Sequence, residues 1–298
     1  MHDQSTPVRD VHRAITETII DAIKAGAGAF QMPWHRVATV SRPINAVTGN
    51  PYRGVNVIAL WVQCMTRKYL AGYWATYRQW QTLGAQVNRG EHGTTIVFYK
   101  KMDPKPGDEG DNPRPGLLAR ASQVFNAEQV TGWTPPVPEP RTRMETLAEV
   151  EDFIQRTGAL IRHGGGEAYY DRRYDTVVVP ARGMFMGTTT SAPMDSYYAT
   201  LLHELTHWTG APHRLTRQFG ERFGDNAYAM EELVAELGSA FLCADLGITN
   251  ESRPDHAAYV ASWLEVLNRD QKAVFTAASQ ASAAAAYLDG LVATARSA

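Results

Sequence analysis

Residues His203-Glu204-Leu205-Thr206-His207 spell H-E-x-x-H. On a helix, positions four apart lie one above the other on the same face. His203 and His207 can therefore turn both imidazoles toward one metal ion. Glu204, beside the first of them, can reach a water on that ion and take its proton. Zn²⁺ suits such a set: two neutral imidazoles, a third protein ligand and an open position. Another divalent ion such as Mn²⁺ could use the same donors. Histidine is scarce, nine in 298 residues, so chance is a poor explanation for two at this spacing around a glutamate. The preceding run Tyr197-Tyr198-Ala199-Thr200-Leu201-Leu202 is apolar enough for a buried helix face, and Gly210 with Pro212 marks a helix stop.

The third ligand has two candidates. The run from His203 through Gly210 to His213 has metzincin spacing. That pattern also calls for a methionine turn, and Met230 opens a helical run instead. Glu232 lies on that run, Met230-Glu231-Glu232-Leu233-Val234-Ala235-Glu236-Leu237-Gly238. Glu232 and Glu236 are four apart and share a face beside the apolar stripe Leu233, Leu237, Ala240 and Phe241. Glu232 as ligand, with Glu236 bonded to a ligand histidine, is the favoured solution. Glu231 and Glu236 also read as solvated helix charges.

Three segments together resemble the ArdC antirestriction family. They are Tyr197 through Gly210, then Arg214-Leu215, then Tyr228 through Gly238. The second half also resembles, more loosely, the SprT-like proteases and the ImmA/IrrE-type peptidases, whose ligand glutamate opens a Glu-x-x-Ala-acidic run matched here by Glu232, Ala235 and Glu236. His213 falls outside the family pattern. The resemblance implies a plasmid-borne protein with an N-terminal domain that binds single-stranded DNA and a C-terminal zinc-metallopeptidase-like domain. It implies protection of incoming DNA from host restriction during conjugation, with a host restriction component as the candidate protein substrate.

Length makes two domains the natural expectation, and composition is that of a globular protein, 44% hydrophobic and 20% charged. The Pro-rich stretch 134–145 reads as a linker. It leaves a small α+β domain, 1–133, and a mainly helical zincin-like domain with a small sheet, 146–298, so the fold class is α+β. Residues 1–133 carry 15 Lys and Arg against 10 Asp and Glu, and the remainder 14 against 21. A basic half and an acidic half suggest different partners. Helices are expected over about 6–25, 55–68, 146–157, 254–268 and 270–296, and strands over 94–101, 117–130, 168–170 and 176–179. Residues 103–116 read as a mobile hairpin loop.

In the first half Trp34, Tyr52, Trp74, Tyr77, Trp80 and Tyr99 are interleaved with arginines and lysines, Arg42 among them. Bases stack on aromatic rings while cations follow the phosphates. Trp34, Tyr52, Arg53, Trp74 and Arg89 are the candidate DNA-binding residues, although indole rings are also common core material. Cys64 and Cys243 lack a CxxC spacing and read as reduced core residues of a cytoplasmic protein. The polar start Met1-His2-Asp3-Gln4-Ser5 carries no apolar signal region. Two function classes follow: a metal-dependent peptidase that works at single-stranded DNA, or a DNA-coating antirestriction protein whose metal site is structural or vestigial. Glu204 favours the first, because a structural site has no use for a general base.

Overall fold

The computed structural model describes residues 8–27, 42–101, 117–136, 141–187, 191–219, 226–249 and 256–297. Trp34, the whole of the expected 103–116 loop and the centre of the Pro-rich stretch lie outside them.

The first half runs α1 (Val8–Ala27), β1 (Ile44–Asn45), α2 (Val55–Arg67), β2 (Tyr73–Thr76), α3 (Tyr77–Thr82), β3 (Gln86–Val87), β4 (Thr94–Lys101), β5 (Leu117–Asn126) and β6 (Val130–Thr131). A four-stranded sheet has the order β1-β2-β5-β4, and β3 pairs with β6 apart from it. Val11, Ile15, Ile19 and Ile23 fall every three or four residues on α1, and all four are buried. Burial of each such side chain stabilises by about 1.5–3 kcal/mol. Strand β4 is a sheet edge, and an exposed edge invites pairing with another chain. Asn56 of α2 covers it at one point: its side chain accepts from the Val97 N–H at 2.9 Å and donates to the Val97 carbonyl at 2.8 Å.

The second half runs α4 (Arg143–Arg156), β7 (Leu160–His163), β8 (Tyr169–Asp171), β9 (Thr176–Val179), α5 (Pro193–Thr209), α6 (Asn226–Leu246), α7 (His256–Arg269) and α8 (Ala273–Ser297). Thr142 and Glu145 form a capping box that starts α4. Its sheet has the order β7-β9-β8, with β7 parallel and β8 antiparallel to β9. Strand β8 is thus an edge. Strand β7 was not expected from the sequence: four residues paired in parallel with a partner across an intervening strand leave no local signal.

The architecture is two-domain and α+β, but the halves do not keep separate cores. One cluster joins Ile15, Ile58 and Trp61 from the first half to Leu233, Phe241, Trp263 and Ala277 from the second. The Trp61 and Phe241 rings lie 5.6 Å apart. Arg42, a cation that looked available to phosphate, is buried in the same region. Its Nη1 is 2.8 Å from Asp245 Oδ2, its Nε donates to the Tyr52 carbonyl at 3.2 Å, and its guanidinium lies over the Phe241 ring. The Ser282 hydroxyl accepts from the Gly54 N–H at 2.8 Å, fastening the start of α2 to α8. A second cluster, around Tyr197, Leu201, Leu205 and Leu288, holds α5 between the three-stranded sheet and α8. Among the described residues no helix is long and apolar enough to cross a membrane, and both cysteines are free and buried.

Candidate metal centre

Helix α5 opens with Pro193 in its first turn, where a missing N–H costs nothing. It ends at Thr209, one residue before Gly210. That glycine has an ordinary right-handed φ of −78°, so backbone freedom does not explain it. A Cβ there would lie 2.7 Å from the Phe219 ring and 2.9 Å from Arg217 Nη2. Space is the reason for Gly210, and it admits a folded-back segment against the end of α5.

Helix α6 crosses α5 along a seam of small residues. The Ser239 hydroxyl donates to the Ala199 carbonyl at 2.8 Å. A Cβ on Gly238 would stand 2.5 Å from Cγ2 and 2.8 Å from Oγ1 of Thr206. Close approach lets carboxylates of α6 meet imidazoles of α5 without long side chains bridging a gap. His203, Glu204, His207, Glu231, Glu232 and Glu236 are all buried.

His203, His207 and Glu232 each offer one ligand atom, all within 4.8 Å of one another. The two Nε2 atoms are 3.2 Å apart. Glu232 Oε2 lies 3.5 Å from Nε2 of His203, and Oε1 lies 3.4 Å from Nε2 of His207. A tetrahedral ion with ligand bonds of about 2.0–2.1 Å requires ligand atoms about 3.3 Å apart. The donor set therefore fits a zinc-sized cation in both chemistry and spacing. The charge balance points the same way. Glu204, Glu231, Glu232 and Glu236 bring four formal negative charges together, and Arg217 pairs with Glu231. Burial opposes protonation of His207, but Glu232 and Glu231 outweigh it and raise its pKa to about 10. Burial also opposes ionisation of Glu232, yet His207 and His203 hold its carboxyl below the usual carboxylate range. The pocket is electrostatically prepared for positive charge.

Around the ligands, His207 Nδ1 donates to Glu231 Oε1 at 3.0 Å. Arg217 holds Glu231 in turn, with Nε 3.0 Å from Oε2 and Nη2 2.8 Å from Oε1. Glu236 Oε2 is 3.7 Å from His203 Nδ1. Neither Glu231 nor Glu236 is a solvated helix charge, so that reading is corrected for both. The adjacent Glu231-Glu232 pair was the available signal, and only the crossing of α5 and α6 decides which carboxylate faces which ring. Arg217 gave no local signal at all.

His213 is turned away from the cluster. Its side chain is 63% exposed and its Nε2 lies 3.4 Å from Asp175. The metzincin alternative is excluded on that placement. The neighbouring Arg214 is the buried one. It stacks on Trp208, with its guanidinium 3.8 Å from the ring centroid, donates to the Trp208 carbonyl and to Tyr170 Oη, and pairs with Asp175. This fastens the end of α5 to the turn between β8 and β9.

The centre opens into a cleft of about 650 Å³. Its walls include Tyr169 and Tyr170 of edge strand β8, with Arg172, Phe185, Phe219 and Tyr228. Phe219 lies 6.2 Å from the His207 ring and beneath Arg172.

The candidate DNA-binding residues separate. Trp74 is fully buried and Tyr52 is 6% exposed. Tyr52 Oη receives a bond from Asn45 and donates to the Trp74 carbonyl, and burial raises its pKa to about 12. Neither ring presents a face to a base, so both are corrected from binding to core residues. Both rings belong to the core cluster that holds Ile58 and Trp61 of α2. Arg53 and Arg89 are exposed. Among the described residues, the exposed rings of this half are others: Tyr77, Phe98 and Tyr99, at 42%, 48% and 49%. Phe98 stands directly across the strand pair from exposed Arg120.

Fold and site together define a zincin-like metallopeptidase domain joined to an N-terminal antirestriction domain. Residues 148–280 match the model of the zincin-like metallopeptidases, and residues 9–130 match that of the N-terminal domain of the anti-restriction factor ArdC. The chain belongs to the ArdC antirestriction family. It is 34% identical to the antirestriction ArdC protein from plasmid R388, solved in metal-free and Mn(II)-bound crystal structures. The metal-free form superposes with a TM-score of 0.77 over 96% of this chain and 98% of that one, and the Mn(II)-bound form with 0.76 over 95% and 98%. An uncharacterised protein of Sinorhizobium fredii, y4eC, is 46% identical over 279 residues, which are 91% of this chain and 89% of that protein. Two DNA primases TraC of Escherichia coli are 36% and 34% identical over 91% and 92% of this chain. The chain matches only 26% and 19% of their lengths.

Proposed function

We propose that this protein binds single-stranded DNA through its N-terminal half and hydrolyses peptide bonds at a zinc site held by His203, His207 and Glu232, protecting incoming DNA from host restriction during conjugation. The observation that carries the peptidase reading is the convergence of His203, His207 and Glu232, with one ligand atom from each within 4.8 Å of the others, beside the buried carboxylate of Glu204. A bound zinc ion would supply Lewis acidity for a scissile carbonyl and its attacking water. Glu204 accepts the proton of that water and delivers it to the departing amine. Edge strand β8 offers backbone hydrogen bonds to an extended segment of substrate, as in strand addition generally. Glu231 holds the outer nitrogen of His207, which orients that ring inward, and Glu236 stands 3.7 Å from the outer nitrogen of His203. The Mn(II)-bound relative supports a divalent ion at this site. For the DNA, Arg53 and Arg89 are the retained candidates for phosphate contacts, and the exposed rings Phe98 and Tyr99 offer stacking surfaces.

The test uses the full-length protein. Elemental analysis is expected to give one zinc per chain. Binding to oligonucleotides is expected to favour single over double strands and to weaken with salt. Glu204→Gln is expected to keep the metal and to abolish cleavage of any protein that the wild type cleaves. Unchanged cleavage in that variant removes Glu204 from the mechanism, and equal affinity for both forms of DNA removes the single-strand assignment.

A further inference from the structure

The segment that folds back after α5 supplies no ligand, yet it is joined to one. We propose that Arg217 is a positioning residue of the metal centre: it holds Glu231, and Glu231 sets the ring orientation and tautomer of His207. The inference rests on the metal-site reading above.

Both Arg217 and Glu231 have side chains only 4% exposed. The guanidinium divides its donors between two elements. Nε and Nη2 go to the Glu231 carboxylate on α6. Nη1 donates to Thr209 Oγ1 at 2.8 Å and Nη2 to the Thr206 carbonyl at 2.5 Å, in the last turn of α5. One planar group therefore anchors both the helix that bears His207 and the carboxylate that meets its outer nitrogen. The Glu231 contact places the imidazole proton on Nδ1. That leaves the lone pair on Nε2, the nitrogen facing His203 and Glu232. Without Arg217, Glu231 would be a buried carboxylate beside a second one, a costly arrangement that favours withdrawal from His207. A lysine ammonium cannot reproduce a fork that bonds a carboxylate and a helix end together. The space demanded by this guanidinium also explains Gly210.

The experiment measures zinc affinity of the full chain by competition with a chromophoric chelator. The variants are Arg217→Gln, Arg217→Lys, Glu231→Gln and the Arg217→Gln/Glu231→Gln double. Far-ultraviolet circular dichroism and melting of the metal-free proteins verify the fold. Each single change is expected to weaken zinc binding by about 10- to 100-fold, with lysine failing to rescue. The double is expected to bind no more weakly than Glu231→Gln alone, because the arginine acts through the glutamate. If Arg217→Gln does not fold, Arg217→Lys set against Glu231→Gln makes the same comparison. A wild type that takes up no zinc overturns both the metal-site reading and the inference. A wild type that binds zinc while Arg217→Gln binds equally well overturns the inference alone. So do losses that add fully in the double, since the arginine would then act only at the helix end.

Discussion

Replacing Gly238 by alanine sets two terms of opposite sign against each other. Alanine in a helix interior is intrinsically favoured over glycine by about 1 kcal/mol, so in open space the change would stabilise. At this position the new Cβ would meet Thr206 Cγ2 at 2.5 Å and Oγ1 at 2.8 Å, well inside the usual carbon contact of about 3.5–4.0 Å. Thr206 has little freedom to give way. It is fully buried, its χ1 is restricted by β-branching, and its hydroxyl donates to the Leu202 carbonyl at 2.8 Å. Overpacking of this kind costs about 1–3 kcal/mol, occasionally more, and relief requires separation of α5 and α6. The net expectation is a loss of about 0–2 kcal/mol, the difference of those two terms. Separation also draws Glu232 away from His203 and His207, so zinc affinity is expected to fall by at least about tenfold, the scale on which small displacements at a metal site act. Adding Thr206→Ala removes the two atoms that clash. The double variant should recover stability and metal affinity relative to the sum of the single changes, an interaction energy of about 1 kcal/mol or more. Denaturant unfolding of the metal-free protein and zinc titration read the two effects separately. A Gly238→Ala protein more stable than wild type, with full zinc affinity, refutes the close-crossing account of the site.

Two further outcomes follow from particular side chains. Arg214 donates to Asp175 and, against a smaller opposing effect of burial and with help from Tyr170, lowers its pKa to about 2. The folded value lies below an unfolded value of about 3.9, so this contribution is fully present above roughly pH 4 and fades as pH falls through about 2. The stability deficit of Asp175→Asn against wild type should therefore be constant from pH 7 to about 5 and shrink below 4, as read by urea unfolding. A deficit that grows on acidification contradicts the assignment. For the DNA, Phe98→Ala is expected to weaken single-strand binding by about 5- to 150-fold, the value of about 1–3 kcal/mol for one stacked base, with thermal stability little changed. Trp74→Ala should instead cost about 3–5 kcal/mol of stability as a core truncation. Normal stability in Trp74→Ala combined with lost DNA binding would return Trp74 to the binding surface.

Helical periodicity made the face of the candidate metal site readable from the sequence. His203 and His207 repeat at one turn on α5, and Glu232 and Glu236 repeat at one turn on α6. The crossing of the two helices was not readable, because it depends on Gly238, Ser239 and Ala199 meeting across some forty residues of chain. The part played by Glu231 was hidden for the same reason. Aromatic content misled in the first half. Whether Tyr52, Trp74 or Phe98 meets water is set by strand order, and β1 is two residues long, too short to leave a pattern. Arg42 reads as a surface cation until its partner Asp245, 203 residues later, is brought beside it.

Composition suggested a boundary in the Pro-rich stretch and hid how closely the halves join. Helix α6 carries Glu232 and Glu236 toward α5, and Leu233, Leu237 and Phe241 into the core it shares with α1 and α2. The helix that carries the candidate third ligand is therefore supported from behind by Trp61 and Ile58 of the N-terminal half. Relative motion is the default for domains joined by small, polar interfaces, but not across a continuous apolar core. A fragment ending at residue 133 would expose the buried faces of Ile15, Ile19, Ile58 and Trp61, and a fragment beginning at 146 would expose Phe241 and Trp263. Each such face buried in the intact chain stabilises by about 1.5–3 kcal/mol per large side chain, several of them together approaching the whole stability of a domain of about 5–15 kcal/mol. The proposed zinc and DNA binding are for this reason expected of the intact chain, and the full-length protein is the one in which each assignment is tested.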